Sequence, residues 1–166
     1  MATGTLISVE EYLNTSYSPD MEYVDGELTE IHVGDWLHSL VQSNIIFALR
    51  SKYPHLKVLP ELRSQVRETR FRLPDVCVLL QAPTGKVLTD APLIAIEILS
   101  EEDRMSRLIE KLAEYATKGT PNIWVFDPRL RKMFRFHANA LEEITGDTIT
   151  TDDRAIELSR EEIFRD

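Results

Sequence analysis

Hydrophobic and polar positions change period along the chain, and the changes mark out its elements. Over residues 35–52, Leu37, Leu40, Val41, Ile45 and Ala48 recur at helical spacing, and Pro54 ends the run. Residues 104–118 repeat that pattern with Met105, Leu108, Ile109, Leu112 and Ala116; Asp103 is the expected N-cap and Gly119 the C-cap, followed by Pro121. Ser8-Val9-Glu10-Glu11 has the form of a capping box and predicts a short helix as far as Asn14. Elsewhere the apolar runs are short. Residues 22–31 read as a hairpin turning at Asp25-Gly26. Residues 57–62 and 63–69 read as strands, and residues 70–73 lead into Pro74, whose ring favours extended backbone before it. The strongest strands are 75–80 and 93–99, separated by a loop with Pro83 and Gly85. The second is apolar on both faces except for Glu97, which predicts a central place in the sheet. Residues 122–126 form another buried strand. A hairpin over 132–137 and 140–144, a strand around Ile156 and a helix over 159–164 complete the series.

Strand, helix and strand across 93–126 predict a parallel crossover, and the hairpins predict antiparallel pairing elsewhere. The fold class is therefore α/β with a mixed central β-sheet. No repeat, low-complexity tract or long linker interrupts the 166 residues, so one domain over 1–166 is expected.

Charge narrows the function. A net charge of −9 argues against a protein that grips nucleic acid with its whole surface. Two local basic groups stand out: Arg63, Arg67, Arg70 and Arg72, then Arg129, Arg131, Lys132 and Arg135. Each reads first as solvated strand edges, where charge blocks edge-to-edge pairing. The apolar runs fall short of the roughly 20 residues a membrane span needs. The start, MATGTLISVEEYL, lacks the basic and apolar segments of a signal peptide. Cys77 is alone and reads as a small buried hydrophobe, so a reducing cytoplasm is the expected location. His32, His38, His55 and His137 lack zinc-ligand spacing. There is no G-x-S-x-G elbow, H-E-x-x-H pair or phosphate-cradling glycine loop.

Two acids carry the candidate chemistry. Asp75 opens the run DVCVLL and Glu97 lies inside LIAIEIL, where an unpaired carboxylate would be costly. On neighbouring strands the two would hold a divalent ion through oxygen ligands, with water and substrate phosphate completing the shell. Such an ion polarises a phosphoryl oxygen and activates water. Alternation puts Glu97 and Leu99 on one face and Ile96 and Ile98 on the other. Lys111 is the expected cation of the site, at the edge of its helix's apolar stripe beside Arg104 and Tyr115, its stem lying over apolar surface. Glu61, on the preceding strand-like segment, is a further candidate ligand or base. His38, at the margin of the long helix's apolar face, and Tyr115 are candidate accessory residues. Each has a bland counterpart: Glu97 as an acid paired to an arginine, Asp75 as a strand-start residue, Lys111 as a surface lysine, Glu61 and His38 as polar margins.

Leu73-Pro74-Asp75-Val76 followed by Glu97-Ile98-Leu99-Ser100 resembles the PD-(D/E)XK nuclease superfamily, and more closely its Uma-two-type endonuclease family. The stretch from Glu22 to Leu28 (EYVDGEL), His38 in the first core helix, the helix around Glu110 to Tyr115 (EKLAEY), and Trp124 to Pro128 (WVFDP) resemble that family's core in order, over residues 8–137. The resemblance implies a restriction-endonuclease-like sheet flanked by helices and magnesium-dependent cleavage of DNA by metal-activated water, with manganese as a substitute. It implies Asp75 and Glu97 as metal ligands. Leu99 stands where the superfamily has its lysine, and Lys111 matches a lysine moved onto the following helix. Arg107 and Ser100-Glu101-Glu102 replace an acid and a Ser-Pro found in many relatives. The alternative is a nuclease fold kept as an inactive binding or assembly module, which need not bind metal. DNA is the expected substrate, no membrane is involved, and apolar edges such as NIWVF and KMFRFH suggest a homodimer.

Overall fold

The Ser8 hydroxyl accepts a hydrogen bond from the Glu11 amide and so caps α1 (Val9–Asn14) in the computed structural model, which describes residues 5–31 and 34–166. His32 lies outside the described residues. Strands β1 (Met21–Val24) and β2 (Glu27–Glu30) turn at Asp25 and Gly26, with φ of 51° and 98°. The glycine accepts that left-handed backbone without steric cost. Helix α2 (Trp36–Lys52) follows Asp35, whose carboxylate accepts from the His38 amide. Then come β3 (Lys57–Pro60), β4 (Ser64–Arg67), β5 (Arg70–Arg72), β6 (Val76–Leu79) and β7 (Ile94–Ile98).

Helix α3 (Met105–Lys118) ends on Gly119 at φ 109°, as its sequence predicts. Its N-cap is Arg104, however, and not Asp103. The Asp103 carboxylate turns back to accept from the Ser100 amide and hydroxyl, which closes the loop ahead of the helix. Strands β8 (Asn122–Asp127), β9 (Lys132–His137), β10 (Ala140–Ile144), β11 (Thr148–Thr150) and β12 (Glu157–Ser159) follow. Helix α4 (Arg160–Phe164) closes the chain, with a capping box between Ser159 and Glu162.

The central sheet has six strands in the order β10-β9-β8-β7-β6-β3. The β7–β8 pair is parallel and α3 makes the crossover; the other pairs are antiparallel. The fold is thus α/β with a mixed central sheet flanked by helices. From α2, Val41, Ile45 and Leu49 pack with Ile163 and Phe164 of α4 against Ile94, Ile96, Val76 and Trp124 on one face. From α3, Leu108, Leu112 and Tyr115 cover Ala95, Ile123 and Val125 on the other. NIWVF and KMFRFH, read from sequence as apolar edges, are not edges: β8 and β9 both have neighbours on either side. No helix among the described residues is long and apolar enough to cross a membrane.

Four strands form a second antiparallel sheet, β2-β1-β5-β4, which the sequence pattern had not separated from the first. One face carries Tyr23 and Phe71 against Tyr12 of α1. The other carries Glu22, Arg70 and Arg72 towards α3. A polar face that is nonetheless buried looks like a solvated edge in sequence: Arg70 and Arg72 face α3, whereas Arg67 is exposed as expected.

Arg63 is the third member of that group to be enclosed. Its guanidinium donates to Asp20 (2.8 Å) and to the Tyr12 and Thr15 carbonyls, and it lies 4.2 Å from the centre of the Tyr12 ring. It thereby pins the end of α1 to the small sheet. Arg63→Met keeps most of the stem but strands Asp20 and two carbonyls. We expect a loss of about 2 kcal/mol in urea unfolding. A variant as stable as the wild type would show that α1 is held by its aromatic cluster alone.

Candidate active site

The pairing of β6 with β7 sets Val76 opposite Ile96, and continuing that register sets Asp75 opposite Glu97. Asp75 Oδ2 accepts the Ile98 amide at 2.6 Å, and Oδ1 lies 3.1 Å from His38 Nε2. Glu97 Oε1 accepts the Tyr115 hydroxyl at 2.6 Å, while Oε2 faces Lys111 Nζ at 3.3 Å. Tyr115 and Lys111 are four residues apart on α3, one turn, so a single helix face brings both to Glu97. These groups share a cleft of about 220 Å³ whose wall also includes Glu22, Ser100, Asp103 and Arg107. The structure therefore gathers Asp75, Glu97, Lys111 and His38 in one cleft, with Tyr115 buried behind Glu97.

Burial decides the electrostatics. It pushes the Glu97 carboxyl up to about 8; Lys111 opposes the rise and the charge on Asp75 adds to it. Burial would lower the Lys111 ammonium, but Glu97 and Glu22 outweigh it and hold the group charged far above its ordinary range. Burial likewise acts to lower His38, yet the hydrogen bond and charge of Asp75 prevail and raise it. The Tyr115 hydroxyl is kept protonated by burial and by Glu97, so it serves as a donor. Gly34 gives the His38 ring its space, because a Cβ at that position would collide with the imidazole.

A second layer, which the sequence reading missed, stands behind Lys111. Pairing of β1 with β5 sets Tyr23 opposite Phe71, so Glu22 falls opposite Arg72. Their side chains meet at 3.0 Å, and Glu22 Oε1 also accepts the Leu73 amide and sits 2.9 Å from Lys111 Nζ. Arg72 Nε donates to Glu114 at 2.6 Å; Glu114 also accepts from Arg70, and Arg70 reaches Asp25. The result is a run of alternating charges: Asp25, Arg70, Glu114, Arg72, Glu22, Lys111, Glu97. The available signal was alternation, since Glu22 and Arg72 each neighbour a core aromatic on a short strand.

Other expectations fare differently. Glu97 is not paired to an arginine; its partners are Lys111 and Tyr115. Glu61 is exposed at φ 48° and is not among the described residues that line the cleft. Its carboxylate lies 3.4 Å from the Gln42 amide, which donates to the Asp75 carbonyl at 2.8 Å. The second basic group is spoken for by acids: Arg129 by Asp35 and Glu101, Arg131 by Asp166, Lys132 by Glu143, Arg135 by Glu142. Among the described residues no set of three or more His, Cys, Asp or Glu side chains is arranged to hold a metal ion. Asp75 and Glu97 are a pair of hard oxygen donors. A carboxyl raised to about 8 beside a second acid is one that a divalent cation would relieve, so the donor set fits magnesium or manganese with water as the remaining ligands.

The sequence matches the family model Uma2, described as "Putative restriction endonuclease", over residues 9–161. No curated protein matches. Among solved structures, the chain is similar to a crystal structure described as "a putative nuclease" from Anabaena variabilis. The two are 22% identical, the match covers 95% of this chain and 97% of that one, and the TM-score is 0.79.

Glu22 makes the second layer testable. Burial alone would raise its carboxyl, but Lys111 and Arg72 outweigh this and hold it below the ordinary 4.5. Its stabilising contribution is therefore complete above about pH 4.5 and is lost as pH falls through the lower folded value. We expect Glu22→Gln to be less stable than the wild type near neutral pH, with a shallower decline of the urea midpoint below about pH 4.5. An unchanged acid slope would remove Glu22 from the acid linkage.

Proposed function

Because the chain belongs to the Uma2 restriction endonuclease family, we propose that it is a divalent-metal-dependent endonuclease that hydrolyses phosphodiester bonds in DNA. The observation that carries this reading is the side-by-side placement of Asp75 and Glu97 in one cleft, with the Lys111 ammonium 3.3 Å from Glu97. Asp75 and Glu97 would hold magnesium or manganese. When bound, such an ion polarises the phosphoryl oxygen and lowers the pKa of the attacking water.

The chain's own groups have distinct tasks. The Ile98 amide and His38 fix Asp75 from its two oxygens, and Tyr115 fixes Glu97. Lys111 places positive charge where negative charge builds on the phosphate oxygens. Leu99, in the superfamily's lysine position, packs into the apolar cluster under α3. The ammonium arrives from the helix instead, fourteen residues after Glu97. Arg107 on the cleft wall is suited to a substrate phosphate. Among the described wall residues, acids outnumber arginine and lysine. A phosphodiester is drawn there only once a divalent cation has offset part of that charge, which ties binding as well as chemistry to the metal.

With manganese or magnesium, the wild type is expected to nick supercoiled plasmid. Asp75→Ala and Glu97→Ala should abolish nicking, and Lys111→Met should slow it by about 10²–10³-fold. Equal background cleavage by wild type and Glu97→Ala, with no heat of metal binding in calorimetry, would leave the fold as a binding or assembly module.

A further inference from the structure

Lys111 has two carboxylates to choose between, and the nearer one is not the candidate ligand. Its ammonium lies 2.9 Å from Glu22 Oε1 on the small sheet and 3.3 Å from Glu97 Oε2 on the central sheet. We infer that Glu22 is a positioning residue that competes with Glu97 for the Lys111 ammonium, and so loosens its hold on the Glu97 oxygen that a divalent cation would use. This inference rests on the metal-site reading proposed above.

The competition falls on one atom. Glu97 Oε1 already accepts the Tyr115 hydroxyl, and Oε2 is the oxygen that Lys111 approaches, so a cation that uses Oε2 meets the ammonium there. An ammonium and a metal ion both seek that oxygen's electrons. Asp75, the other acid acting on Lys111, offers no refuge, because it belongs to the same candidate metal pair. Among the described acids, Glu22 is the one outside that pair that lies within ion-pair distance of the ammonium.

Glu22 is built to stay in place. It is 3% exposed. Its Oε1 is fixed by the Leu73 amide and its Oε2 by Arg72, which Glu114 holds in turn. Two anchors besides Lys111 thus hold Glu22 in place. Neutralise Glu22, and the ammonium retreats onto Glu97 and Asp75. The metal must then displace a cation that the native arrangement shares with Glu22.

Calorimetric titration with manganese alone tests this without any cleavage assay. Glu22→Gln, confirmed as folded by thermal melting, is expected to bind manganese at least tenfold more weakly than the wild type. Glu22→Gln combined with Lys111→Met is expected to recover wild-type affinity within threefold, while cleavage stays lost. A purely structural role for Glu22 would lower the melting temperature and would not be rescued by removing Lys111. Wild-type affinity in the single variant, or no recovery in the double variant, overturns the inference while leaving the metal site intact. Failure of the wild type itself to take up manganese overturns both. Should Glu22→Gln not fold, Lys111→Met alone decides: binding at least as tight as wild type supports the competition, and weaker binding refutes it.

Discussion

A buried carboxylate near the end of a central strand cannot stand alone, and much of this structure follows from the company Glu97 requires. With only 6% of its surface exposed, it needs a donor and a cation. Tyr115 and Lys111 supply both from one turn of α3. Lys111, itself largely enclosed, then needs more negative charge than Glu97 gives. That demand passes to Glu22, from Glu22 to Arg72, from Arg72 to Glu114, and outward through Arg70 to Asp25 at the exposed β1–β2 turn. Solvent can satisfy the last member, and there the sequence of obligations stops. The small sheet exists in this fold largely as the carrier of those charges, with its opposite face sealed by aromatics.

Backbone pairing performs the other half of the assembly. An antiparallel register puts two acids, twenty-two positions apart in sequence, on facing ends of adjacent strands, and the amide of Ile98 locks one of them. Pro74 immediately before Asp75 has no amide to contribute to a ladder, so the strand begins after the acid and leaves it at the sheet's margin. The site is therefore a property of strand ends, with the helix adding what strands cannot reach.

The central sheet, the parallel crossover, α2, α3 and the Asp75–Glu97–Lys111 grouping were legible in the chain because each rests on a local pattern: a period, a cap, or an acid out of place in an apolar run. Asp103 shows the limit. Asp is a favoured capping residue, yet a competing turn through Ser100 captured its carboxylate. The second sheet and the buried ion network were illegible for a different reason. Charged residues on short alternating strands have the same pattern whether their polar face meets water or another charged face. Only tertiary docking distinguishes these, and Glu22, Arg72 and Glu114 lie far apart in sequence. Strand β11, three residues long, is too short to show a period, whereas β12 begins one residue after Ile156, where a strand was expected.

The alternating charges join segments near residues 22, 72 and 111, drawn from the small sheet and from the helix across it. Asp75 and Glu97 meet through the β6–β7 pairing alone, but Lys111 has both of its carboxylate partners only where the small sheet is docked on α3. Neither sheet alone supplies both carboxylates that face the ammonium, so the complete arrangement is a joint property of two sheets and the helix between them.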